Sequence, residues 1–159
     1  MPYDAAEGLL SAYATCDRIT HYLIEHLTDD LWQQKAADGK GRTPAAIAAH
    51  IHNVRGMWLK AAGGTVPEKL EPASVTREEA LAALRESYAA LDEVLRKSFA
   101  GTGQIKGFKP DVAGFVGYLI AHEAHHRGQI AMLARTLGHP LPKQVQFGMW
   151  EWGSRAKEI

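Results

Sequence analysis

Four stretches of the chain repeat apolar residues every three or four positions, and none shows the strict two-residue alternation of a strand. In the first, Leu9, Tyr13, Cys16, Thr20, Leu23 and Leu27 form one stripe; Cys16 lies on it and reads as a small core residue, not a nucleophile. The second runs from Thr43 to Ala62, opened by Thr43-Pro44 and closed by Gly63-Gly64. The third begins with a capping box, Thr76-x-x-Glu79, and continues as Leu81, Leu84, Tyr88, Leu91, Leu95 and Phe99. The fourth runs from Pro110 to Leu137, with Gly138 and Pro140 as stop signals. Loops at Thr65–Ser74 and Gly101–Lys109 separate the last three. The tail, Leu141–Ile159, contains "FGMWEWG" without a clear period and is expected to lay an aromatic flap, with a short helix, across the bundle. The pattern predicts an all-α fold, an antiparallel (up-down) four-helix bundle forming a single domain over residues 1–159.

Composition narrows the class. At 159 residues, 46% of them hydrophobic and 23% charged, the chain suits one soluble domain with a real core. Lys+Arg and Asp+Glu balance at 18 each, so no global field draws it to nucleic acid or an acidic membrane. The longest stretch free of both charged residues and histidine, Val112–Ala121, is far short of the roughly 20 residues a membrane-spanning helix needs. No basic-then-apolar signal peptide opens the sequence, and Cys16 alone cannot form an internal disulfide, so the expected address is the cytoplasm. Five of the eight histidines fall in two short clusters, and these carry the chemistry.

A helix advances about 100° per residue, so His126 lies about 40° from His122, Gln129 about −20° and Tyr118 about −40°. One face therefore reads Phe115, Tyr118, His122, His126, Gln129, Leu133, apolar at both ends with two imidazoles between; His125 lies to one side. On the second helix His50 shares a face with Ile47, Val54, Met57 and Ala61, while His52 is about 200° away and points elsewhere. Phase thus selects His50, His122 and His126 as inward histidines on two helices. An i, i+4 pair can chelate one point beside its helix, and imidazoles packed together without a cation leave ring nitrogens unpartnered. Three neutral nitrogens suit Zn²⁺, Ni²⁺, Fe²⁺ or Co²⁺ and leave a coordination position open for water or substrate.

Read literally, His122-Glu123-x-x-His126 is also the H-E-x-x-H pattern of zinc peptidases. That reading needs a downstream third ligand, for which Glu151 is the well-placed candidate, and a sheet edge for substrate, where no strand is predicted. Glu123 has a plainer role as an exposed helix ion pair with Arg127, four residues on. Gly128 reads as a site of close helix approach, and Trp58, Trp150 and Trp152 as pocket mouth, core or dimer packing.

"AAHIHNVRGMW" on the second helix together with "HEAHHRGQI" on the fourth resembles the DinB/YfiT-like superfamily of metal-binding four-helix bundles. The resemblance implies one metal-ligating histidine on the second helix and H-x-x-x-H on the last, at His50, His122 and His126, the same three that helical phase selects. It also implies thiol-dependent transferases using bacillithiol, mycothiol or glutathione, or hydrolases or isomerases, and a homodimer. The expectation is a metal-dependent hydrolase or thiol S-transferase acting on a small molecule. In it Gln129 orients a ligand and Tyr118 serves as proton donor or second-layer partner. A non-catalytic metal-binding bundle is the alternative.

Overall fold

Local signals start and stop the helices close to where the sequence places them. The computed structural model describes residues 1–158. Helix α1 spans Ala5–Glu25, α2 Asp29–Trp32, α3 Pro44–Ala62 and α4 Arg77–Ala100; strands β1 Gln104–Ile105 and β2 Phe108–Asp111 follow, then α5 Val112–Thr136, α6 Lys143–Gly148 and α7 Trp152–Arg155. Thr43 caps α3 by accepting from the Ala46 amide, with Pro44 in the first turn, and Gly63 ends it in the left-handed region at φ 77°. Both halves of the Thr76–Glu79 capping box form.

The last long helix begins at Val112, not Pro110, because the Asp111 side chain caps it by accepting from the Gly114 amide. The loop expected before it contains a two-stranded antiparallel hairpin, β1–β2, turning at Lys106-Gly107, where Gly107 has φ 90°. Strands of two and four residues are too short to show a period.

The directions of the long helices differ from simple up-down alternation. Moving along α3, His52 meets Ala83 of α4, Arg55 meets Leu84 and Ser87, and Gly64 just beyond α3 abuts Val94, so α3 and α4 run the same way. Likewise Tyr13 meets Glu123, and Cys16 and Thr20 meet Arg127, so α1 and α5 run together. By contrast α1 opposes α4 (Glu7–Arg96, Tyr13–Tyr88, His21–Leu81), and α3 opposes α5 (His50–His126, Arg55–Glu123, Trp58–Tyr118). The up-down expectation fails at one connection. Residues 63–76 can reach about 45 Å, whereas α3 is only about 28 Å long, so the chain can cross back along it before α4 begins. Asn53 brackets Leu70 of that crossover through both its amide groups, at 2.9 and 3.0 Å, and His52 Nε2 lies 2.8 Å from the Glu68 carbonyl.

The core contains a polar layer. Arg55, 1% exposed, donates to Glu123 from Nε and Nη2 at 2.9 and 2.8 Å and to Asp17 at 2.7 Å. Its Nη1 donates to the Leu84 carbonyl at 2.8 Å, so one side chain links all four long helices. Glu123 also accepts from Tyr13 and Thr20. Burial alone would raise the Asp17 carboxyl, but Arg55 and His21 outweigh it and leave it below the usual range. Burial likewise opposes charge on His21, and the bond to Asp17 outweighs it, so that pKa is raised.

The tail lies on the bundle with two short helices, α6 and α7, but its aromatic rings are not what it buries. Leu141 and Val145 insert into the core, while Phe147 and Trp150 are 68% and 79% exposed. What docks the tail on α1 is Arg18, donating to the Arg155 and Ala156 carbonyls, and the Arg155 guanidinium lying 4.2 Å over the Tyr22 ring. Among the described residues no helix is long and apolar enough to cross a membrane.

Arg55→Ala is expected to destabilise the fold by about 3–5 kcal/mol in urea denaturation, because it strands two buried carboxylates. A raised His21 pKa contributes stability that is complete below its unfolded value, near 6.5, and is lost as pH rises through the folded value. The melting-temperature gap between the wild type and His21→Asn should therefore be widest near about pH 6 and narrow toward about pH 9; a pH-independent gap would contradict the pairing with Asp17.

Candidate metal centre

His50 comes from α3, and His122 and His126 from successive turns of α5. The two helices oppose each other, and the Arg55–Glu123 bond holds them in the register that sets residue 50 against residues 122 and 126. Each ring offers one nitrogen to a cluster whose atoms all lie within 4.8 Å of one another. His122 Nε2 and His126 Nε2 are 3.2 Å apart. Two nitrogens each about 2.05 Å from a tetrahedral ion stand about 3.3 Å apart, so the donor set fits a first-row divalent ion. The three residues could hold a metal.

The expected inward placement needs correction. His50 and His122 are half-buried and only His126 is buried, so the cluster sits on the flank between α3 and α5. The arc of α5 that faces the core is centred on Leu119, Glu123 and Ile130, about 60–100° round from His122. On α3 the core arc includes Ile51, Arg55 and Leu59, whereas Met57, expected beside His50 on an inward face, is 55% exposed. His52 points away from His50 as expected, yet it is the more buried of the two, at 1%, held between the Ala83 and Glu68 carbonyls.

His126 Nδ1 lies 2.7 Å from Gln129 Oε1. A carboxamide oxygen only accepts, so Nδ1 carries the proton and the Nε2 lone pair is free for an ion. Burial, then the neighbouring imidazoles led by His126, push the His122 pKa down to about 4. Burial, Arg42 and His126 lower His50; for His126, burial is opposed by the Gln129 bond and reinforced by His125 and Arg42. All three rings are therefore biased toward the neutral form that ligates metals. His125 is exposed, its ring edge-on to His126.

Tyr118 stacks on His122 with ring centroids 5.8 Å apart and accepts from Trp58 Nε1 at 3.2 Å. Trp58, Phe108 and Phe115 pack edge-to-face beside it, making an apolar wall next to the histidines. Trp150 and Trp152, expected at the same mouth, line a different groove.

Glu123 is not the surface partner of Arg127. Its carboxylate is 1% exposed and bound by Arg55, Tyr13 and Thr20, while Arg127 donates to the Cys16 carbonyl, the Cys16 sulfur and the Thr20 hydroxyl. A glutamate turned into the core cannot serve as base at the histidine face, and Glu151 is not in the cluster, so the peptidase reading loses both its base and its third ligand. Gly128 faces solvent, with no atom within 4 Å of where a Cβ would stand. Cys16 is fully buried, and its thiol is pushed up to about 11, first by burial and then by Glu123, in keeping with a packing role.

Asp17, Arg55 and Arg42 escaped the sequence reading. Arg55 lies five positions after His50, about 140° round the helix, and a charge set in the otherwise uncharged stretch Thr43–Leu59 was the available signal.

Gln129→Leu removes the acceptor that holds His126 Nδ1–H and should weaken Zn²⁺ or Ni²⁺ binding about 10–100-fold in competition with a chromogenic chelator; unchanged affinity would show that the bond has no part in presenting Nε2.

The DinB superfamily model matches residues 12–130, a span that contains all three histidines and both buried arginine contacts. No curated protein matches the chain.

Proposed function

The chain belongs to the DinB superfamily, and from that membership and the geometry of its histidines we propose that it is a divalent-metal-dependent enzyme acting on a small molecule. The reaction class is hydrolysis or transfer to a low-molecular-weight thiol. One observation carries the reading: three nitrogen donors within 4.8 Å of one another, on a half-exposed flank, joined by no carboxylate or thiolate among the described residues. A closed structural site uses four protein ligands, whereas three leave a position for substrate. In this proposal the four long helices form a single four-helix bundle domain around that one site. Balanced charge and a lone buried thiol support a cytoplasmic address.

His50, His122 and His126 would hold Zn²⁺, Ni²⁺ or Fe²⁺. Bound there, such an ion supplies Lewis acidity, lowering the pKa of a water or thiol and polarising a substrate oxygen. Gln129 keeps the His126 ring in the tautomer that presents Nε2. The Tyr118 hydroxyl accepts from Trp58, which leaves its own proton to donate toward a substrate beside His122. The faces of Trp58 and Phe108 would take the apolar part of that substrate.

Mass-spectrometric metal analysis of the purified chain should find about one divalent ion per protein, falling below about a tenth in His50→Ala and His126→Ala. Turnover should appear in a panel of esters and thiol conjugates, vanish with chelator and return with one of the three metals. A wild type without metal after supplementation would end the reading. Bound metal whose chelation lowers the melting temperature, with no turnover, would replace it with a non-catalytic metal-stapled bundle.

A further inference from the structure

A second concavity lies on the other side of α5 from the histidines. Arg127, Ala124 and Ala131 project about 140–200° round the helix from His122. Together with Ile19 of α1 and the C-terminal Met149, Trp150 and Trp152 they enclose a groove of about 530 Å³. That is the size of a small-molecule site, within the usual range of roughly 300–1,000 Å³. The tail that forms its outer wall is held to α1 by Arg18, which donates to the Arg155 and Ala156 carbonyls, and by the Arg155 guanidinium over the Tyr22 ring; within the tail Gln146 donates to the Leu141 carbonyl at 2.6 Å.

The charge of the groove is one-sided. Arg127 and Arg135 line it, and no aspartate or glutamate does. Neither guanidinium pairs with a carboxylate among the described residues. Arg127 is also pre-positioned: Nη1 is pinned to the Cys16 carbonyl and the Thr20 hydroxyl at 3.3 and 2.9 Å, while Nε and Nη2 have no acceptor among the described residues. A fixed guanidinium with spare donors at the side of an apolar trough suits an anionic head, and the indoles and methionines suit an apolar body.

We propose that this groove binds a small amphipathic anion, an aromatic or aliphatic body carrying one carboxylate or sulfonate, at a site separate from the histidines. Its complementarity lies in two cations that have no carboxylate partner among the described residues, set in an apolar wall. The proposal is independent of the metal reading.

The test uses the full chain and anilinonaphthalene sulfonate, followed by energy transfer from tryptophan, with decanoate and decyltrimethylammonium as competitors. One saturable site per chain is expected, displaced by decanoate and not by the cation. Arg135→Glu and Trp150→Ala change exposed side chains and should each weaken binding at least about tenfold, while His126→Ala should leave it unchanged. Absence of a saturable site, equal displacement by the cationic competitor, or affinity unaltered in both groove variants would overturn the proposal. So would sedimentation showing a second copy seated in the groove and excluding the probe.

Discussion

The arrangement depends on the Arg55 guanidinium buried between two carboxylates. Arg55 reaches Glu123 on α5, Asp17 on α1 and a main-chain carbonyl of α4 from its place on α3. In a dry interior such contacts are strongly directional, and losing one partner leaves a charge with neither water nor counter-ion. Apolar packing alone would tolerate some sliding of one helix along another. The two donors of Arg55, Nε and Nη2, converging on the single oxygen Oε1 of Glu123 do not, and they hold the two helices that supply the histidines.

Glu123 follows His122 directly, so one turn of α5 serves two environments. The glutamate enters the sealed polar layer, and the histidine beside it opens toward the α3 flank. This separation keeps the carboxylate from competing for the histidine site, and it keeps water away from the arginine. Half-burial suits the three rings, because partial desolvation and mutual repulsion disfavour their protonation while an approach from solvent remains open. Farther round α5 the third environment is the cationic, apolar groove closed by the tail. Three arcs of one helix thus carry three kinds of chemistry.

Histidine is used here in two ways. His50, His122 and His126 gather their nitrogens at one point. His52 and His21 instead act as core braces: His52 joins α3 to α4 and to the crossover, and His21 joins α1 to α4 beside Asp17. The crossover allows α4 to run alongside α3 in the same direction, and that frees α5 to oppose α3 across the histidine cluster.

The sequence by itself determined the four long helices, their caps at Thr43 and Thr76, and the three histidines that meet, because periodicity and capping are local and an i, i+4 pair shares a face wherever its helix lies. It also carried the family resemblance that the DinB match bears out. What only the tertiary structure decided was which arc of each helix is the core. An apolar stripe gives a phase and no depth, so Glu123 read as a surface partner of Arg127 when it lies at the centre of the buried arc, and His50 read as inward when it lies on the flank. Helix direction was equally hidden, since a long loop permits either sense and the choice falls to His52, Asn53 and Leu70, whose contacts join residues 16 to 31 positions apart. Long-range partners of this kind leave no periodic trace in the chain, and they decide which neighbours a side chain meets.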